Sequence, residues 1–253
     1  MIGLSGRGRQ TLRLMLIGLW TVICYLVWLP GALLLLPFGR RARQWNELGV
    51  RIWSGGLVRA MGIQVEVSGA PPAKPFFLVS NHLSYLDILV LGSRLGPTFI
   101  SKSELANWPV LGHLARVTGT IFVNRQRKRD ALRVIREIDQ TVARGGGVVL
   151  FPEGTSTRGD RIYPLKSALL EWAAQRGFPV HAASIRYETG LPADPAVQSV
   201  CWWGDMAFGP HILRMLTLPR IRATLAFAPA PVVEHQRGAL AARLQATLEQ
   251  IFT

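Results

Sequence analysis

His82 and Asp87 stand five positions apart in the run Asn81-His82-Leu83-Ser84-Tyr85-Leu86-Asp87. A neutral imidazole can take a proton from a hydroxyl through one ring nitrogen while a carboxylate binds the other N–H, fixes the tautomer and stabilises the imidazolium that forms. A substrate that brings its own hydroxyl then needs no serine or cysteine nucleophile: the pair suffices to activate it against an ester or thioester. The same residues carry a second reading. Ser84 and Asp87 match the S-x-x-[DE] capping box, in which Asp87 only bonds the backbone at a helix start.

Two further polar groups follow apolar runs. Asn124-Arg125 follows Thr120 to Val123, and Pro152-Glu153-Gly154-Thr155 follows Val148 to Phe151. Buried strands read as short apolar runs, and open α/β sheets bind ligands at the carboxyl ends of their strands. Three such ends, at Asn81-His82, Asn124-Arg125 and Pro152 to Thr155, are therefore expected to converge. Arg125 at a strand end suits a bidentate grip on phosphate, whereas Arg127 to Arg129 read as a solvated helix entrance. Glu153, Gly154 and Thr155 offer a carboxylate, a close backbone approach and a hydroxyl to a polar acceptor; Gly154 could equally serve only to turn the chain.

The elements that must position these residues alternate. Strands are expected at Gln64 to Val67, ahead of His82, at Thr98 to Ser101, Thr120 to Val123, Val148 to Phe151, Val180 to Ile185 and Ala223 to Phe227. Helices are expected within Ser103 to Val117, over Asp130 to Arg144, over Ser167 to Gln175 and from Arg237 to Phe252. That alternation predicts an α/β fold with a largely parallel sheet covered by helices. Residues 62–253 form the expected α/β domain, and residues 1–61 a membrane-associated helical region.

Leu14 to Phe38 contains no charged side chain, and Arg7, Arg9 and Arg13 precede it while Arg40, Arg41 and Arg43 follow. The part before Pro30 gives about 24 Å of helix, short of a hydrocarbon core of roughly 30 Å; a helix continuing through Pro30 is long enough. With arginine on both flanks, a span and a one-leaflet helical pair are both open, and a cleaved signal peptide is a third reading, one without an A-x-A-like site. From Arg43 to Met61 the residues Trp45, Leu48, Ile52, Trp53, Leu57 and Met61 recur at helical spacing. Such a helix either lies on the bilayer or packs on the domain.

The formal charge is +14, with 29 Lys and Arg against 15 Asp and Glu, yet 49% of the 253 residues are hydrophobic. A chain both basic and apolar suits an anionic membrane surface rather than nucleic acid, for which no binding motif is present. Cys24 and Cys201 make neither a metal nor a disulfide spacing, and His113, His181, His211 and His235 are scattered, which leaves a metal hydrolase without ligands. A non-catalytic lipid-binding protein would keep the membrane segment and the basic surface without needing His82, Asp87 and Glu153 at one edge.

With these clusters in place, the sequence resembles the PlsC-type family of 1-acylglycerol-3-phosphate and related lysophospholipid acyltransferases. The resemblance rests on N-H-x-x-x-x-D at Asn81 to Asp87, on Gly119-Thr120-Ile121-Phe122-Val123-Asn124-Arg125, on F-P-E-G-T at Phe151 to Thr155, and on a weaker fourth block at Phe178 to Tyr187. It implies His82 as general base with Asp87 as its partner, and Arg125 on the acceptor's phosphate. Glu153, Gly154 and Thr155 would organise the acceptor, with Asn124, Arg158 and Lys102 also in the substrate-binding set. It further implies an acyl thioester of coenzyme A or acyl carrier protein as co-substrate, no cofactor or metal, and phosphatidic acid as product. The site would lie at the cytosolic face of the inner membrane. Two departures bear on the acceptor: the basic residue usual after F-P-E-G-T stands two positions later, at Arg158, and the usual proline of the fourth block is Ala182. Trp202-Trp203-Gly204-Asp205-Met206 ahead of His211 is also similar to lyso-ornithine-lipid acyltransferases, whose acceptor lacks a phosphate.

Overall fold

The computed structural model describes residues 5–124, 126–127 and 129–252. Two long helices, α1 (Gly6–Leu35) and α2 (Gly39–Ala60), lead into strand β1 (Ile63–Ser68). Then follow β2 (Phe76–Ser80), α3 (Leu86–Leu95), β3 (Thr98–Lys102), α4 (Leu111–Val117), β4 (Ile121–Val123), α5 (Asp130–Ala143) and β5 (Gly147–Leu150). The chain closes through α6 (Glu171–Arg176), β6 (Val180–Glu188), α7 (Ala196–Ser199), α8 (Phe208–Met215), β7 (Ile221–Phe227) and α9 (Arg237–Ile251).

The strands form one sheet in the order β1-β7-β6-β2-β5-β3-β4. Neighbours are parallel throughout except at β6 and β7, so β1 and β7 run opposite to the other five. Every residue of β2 and β5 is buried, as expected of strands with helices over both faces. On one face Leu78, Val149, Ile185 and Leu225 meet α2 and α3 through Leu57, Val58 and Val90. On the other, Phe77, Val79, Val148 and Val180 meet α5, α6 and α9 through Ile138, Trp172 and Leu244. The segment from residue 103 to 117 splits into a short 3₁₀ turn, Ser103–Asn107, and α4, and the helix expected from Ser167 opens as a second 3₁₀ turn, Ala168–Leu170.

α1 runs unbroken through Pro30, about 45 Å at 1.5 Å per residue, and is long and apolar enough to cross a membrane by length and composition. It lies along α2 as an interlock of large on small residues. A Cβ at Gly56 would stand 2.0 Å from the Trp20 ring, one at Gly49 2.7 Å from Trp28, and one at Gly31 2.4 Å from Trp45. The indole N–H groups are also used: Trp20 donates to the Trp53 carbonyl and Trp45 to the Trp28 carbonyl. At the N-terminal end Arg13 is buried and donates to the carbonyls of Leu216, Leu218 and Pro219 just before β7. α2 packs on the domain through Val50, Leu57 and Val58, which are buried, while Leu48 and Ile52 remain exposed.

Candidate active site

The turn from β2 into α3 is fixed at its first residue. Asn81 is fully buried, and its side-chain amide donates to the Ile185 carbonyl (2.9 Å) while its oxygen accepts the Ile185 N–H (2.7 Å). The side chain thus replaces a ladder pair and ties the turn to β6. Asp87, in the first turn of α3, is also fully buried. Its Oδ2 accepts the N–H groups of Leu83 (2.7 Å) and Ser84 (3.0 Å) and lies 2.7 Å from His82 Nδ1. Its Oδ1 accepts the hydroxyl of Tyr187 (2.7 Å). Asp87 therefore serves both readings, holding the helix entrance and the imidazole together. The other half of the capping box does not form, because the Ser84 hydroxyl is buried without a hydrogen bond.

The His82 ring stacks on Phe151 at 4.3 Å between centroids, and Phe151 stacks in turn on Phe99. Its side chain is 19% exposed. With Nδ1 on Asp87, and no side chain among the described residues bonded to Nε2, Nε2 is the nitrogen left for a substrate hydroxyl.

β5 is the neighbour of β2, so the residues after it arrive beside His82. Glu153 is buried, with Oε2 accepting the His82 N–H (2.7 Å) and Oε1 the Tyr163 N–H (2.8 Å). Both oxygens are thus engaged with backbone, and the carboxylate braces the His82 turn against the loop that follows β5. Gly154 has φ +81, a left-handed conformation that a side chain would strain. Thr155 is exposed at the edge, and Thr157 donates to the His82 carbonyl through its N–H (2.8 Å). Arg158 is exposed with its guanidinium over the Trp203 ring at 5.0 Å, and the Trp202 N–H donates to the Leu83 carbonyl (2.8 Å). The 202–203 segment therefore borders the His82 turn directly.

The remaining residues stand further along the edge. β3 and β4 lie beyond β5, so Asn124 is three strands, roughly 14 Å, from the His82 strand. Its side-chain oxygen accepts the Gln126 N–H (3.0 Å) and its own N–H donates to Asp130 (2.6 Å), so this polar side chain shapes the turn. Lys102 ends β3 between the two and is exposed. Arg125 lies outside the described residues. Tyr187 was not among the expected site residues. It stands near the end of β6 and is buried, where a hydroxyl requires a partner.

Burial pushes the Glu153 carboxyl up to about 7 against the N–H groups of Tyr163 and His82, which favour the charged form. A raised value means that the folded protein keeps a proton the unfolded chain loses near pH 4.5, so stability falls as pH rises from about 4.5 to about 7, by on the order of 3 kcal/mol. Glu153→Gln should flatten the urea midpoint across that window. A midpoint slope equal to that of the parent would assign the titration to another group.

A family model described as Acyltransferase matches residues 63–186, which take in His82, Asp87, Asn124, Arg125 and Glu153. The chain is 32% identical over 240 residues to a lyso-ornithine lipid O-acyltransferase of Rhizobium meliloti, covering 90% of this chain and 80% of that protein. It is 37% identical over 157 residues to a 1-acyl-sn-glycerol-3-phosphate acyltransferase of Neisseria meningitidis, covering 58% of this chain and 62% of that one. The crystal structure of the 1-acyl-sn-glycerophosphate acyltransferase PlsC from Thermotoga maritima superposes with a TM-score of 0.65 at 20% identity, over 96% of this chain and 97% of that one, a likeness of fold.

Proposed function

Because this chain belongs to the acyltransferase family, we propose that it moves a fatty acyl group from a thioester donor to the free hydroxyl of a lysolipid. The observation that carries this reading is the imidazole of His82, held by Nδ1 on a buried carboxylate and left open at Nε2 on the sheet edge. Nε2 takes the proton of the acceptor hydroxyl as its oxygen attacks the thioester carbonyl. The tetrahedral intermediate collapses with cleavage of the C–S bond, and the departing thiolate takes the proton back from the imidazolium. The atoms and the proton balance without cofactor or metal. The donor is acyl-coenzyme A or acyl carrier protein.

Two acceptors have support. Lyso-ornithine lipid is favoured by the extent of similarity to the Rhizobium meliloti protein, and by Trp202, whose backbone bonds the His82 turn beside the Arg158–Trp203 stack. A guanidinium there suits the carboxylate of an amino-acid head group. 1-Acylglycerol-3-phosphate is favoured by the higher identity to the Neisseria meningitidis protein over the core, and by Arg125 at the end of β4 in sequence. In that reading Arg125 grips the phosphate, Lys102 and Asn124 border it, and Thr155 and Gly154 meet the glycerol. The exposed apolar face of α1 would keep this edge at the lipid surface, on the cytosolic side of the inner membrane.

The test is transfer by the detergent-purified protein from labelled acyl-coenzyme A and acyl carrier protein, with both acceptors offered side by side. Product on lyso-ornithine lipid, reduced by Arg158→Ala through KM, is the expected result for the first acceptor. Product on 1-acylglycerol-3-phosphate alone selects the second, and transfer to neither lysolipid would overturn the reading.

A further inference from the structure

A groove of about 540 Å³, lined by none of the residues around His82, lies between the C-terminal half of α2, the end of α3 and the start of β1. Three of its lining residues are Arg51, Arg59 and Arg94, and none is acidic. Arg51 and Arg59 stand eight apart on α2 with Gly55 between them, so one helical stripe offers two guanidinium groups with no side chain in the gap. Ser93 and Arg94 form the facing wall from α3. Arg59 spends one N–H on the Gly55 carbonyl and Arg94 one on the Val65 carbonyl, which orients both; no further hydrogen bond from either is seen among the described residues. Arg51 has no acidic partner among the described residues. The nearby Glu47 is paired with Arg43 and Lys74 at 2.7 Å each and does not neutralise it.

The groove's other rim is apolar. Trp20 of α1 and Leu48 and Ile52 of α2 line it, and the last two are about half exposed. From this rim the uncharged surface of α1 continues through Leu16, Leu19 and Ile23, each at least 42% exposed. An anion receptor thus opens directly onto a surface suited to acyl chains. We propose that this groove binds the phosphodiester head group of one anionic phospholipid, with its chains lying along Trp20, Leu48 and Ile52. Arg51, Arg59 and Arg94 would hold the phosphate oxygens, and the Gly55 gap would admit it between them. The lipid here is a bound partner rather than a substrate: the groove's lining includes none of His82, Asp87, Glu153 or Arg158.

The test is native mass spectrometry of the full chain in detergent, titrated with phosphatidylglycerol and phosphatidylcholine in competition. Wild type should retain phosphatidylglycerol preferentially. The double variant Arg51→Gln/Arg59→Gln should lower that preference by about thirtyfold, each arginine at a lipid surface being worth about 1 kcal/mol. Gly55→Leu keeps every charge and fills the gap, and it should have the same effect. A Cβ there meets Arg59 Nη1 at 3.4 Å and the Ser93 Cβ at 4.0 Å, both ordinary van der Waals contacts. Arg237→Gln/Arg243→Gln on α9 removes the same charge elsewhere and should change nothing. Unaltered preference in either groove variant, or an equal loss in the α9 variant, would overturn the site. Displacement of the lipid by inorganic phosphate would make it a plain anion site and overturn the lipid assignment. These readouts require no acyl transfer, so they stand or fall independently of the proposed reaction.

Discussion

His82→Ala is expected to lower acyl transfer by about 10² to 10⁴, with kcat and kcat/KM falling together, while the protein keeps its fold. The loss would be chemical because the ring's Nε2 is the proposed base for the acceptor hydroxyl. The fold survives because what remains is satisfied. Asp87 still accepts Leu83 N–H, Ser84 N–H and the Tyr187 hydroxyl, and the turn keeps its backbone bonds to Glu153 and from Thr157. Single-turnover assays beside a thermal melt decide the matter. A folded variant with near-normal turnover would remove His82 from the mechanism.

Asp87 should show a sharp divergence between two substitutions. Alanine would strand the N–H groups of Leu83 and Ser84 and the Tyr187 hydroxyl in a site with no exposure, and should cost several kcal/mol, enough to unfold a marginal domain. Asparagine has a way to fit. Its oxygen can take the Oδ2 place facing the two N–H groups and His82, and its NH₂ the Oδ1 place, where the Tyr187 hydroxyl can turn to accept. Asp87→Asn should therefore fold yet lose roughly 10² to 10⁴ in kcat, since the imidazolium has lost its counter-charge. Urea titrations and kcat for the pair measure both effects. Equal stability of the two variants would contradict the hydrogen-bond account, and a folded asparagine variant with full kcat would contradict the electrostatic one.

That these residues reach one sheet edge was legible, because they follow apolar runs that read as buried strands and parallel strands bring such ends together. The two roles of Asp87 were not separable in sequence, since a helix cap and a histidine partner use the same carboxylate at the same spacing. Tyr187, and the bracing role of Glu153, escaped for a different reason. Their bonds reach 100 and 71 residues along the chain to groups at the His82 turn, and nothing local signals that distance. The reversal of β1 and β7 was hidden because the alternation of inward and outward residues reads alike in either direction of a strand. Pro30 obscured the length of α1, as a proline marks the end of most helices in water but is tolerated within apolar ones. Arg13 read as a charged flank, and instead it fastens α1 to the carbonyls ahead of β7.

The seating of Trp20, Trp28 and Trp45 over Gly56, Gly49 and Gly31 has a mechanical consequence. Among lipid tails, helices gain nothing by hiding apolar surface from one another, and what holds them is close contact of matched shapes. A joint of this kind grips as firmly in hydrocarbon as in water. The two helices would then enter or leave a bilayer as one stiff strut, and since α2 runs straight into β1, any tilt of that strut is delivered to the sheet as a rotation of the whole enzyme.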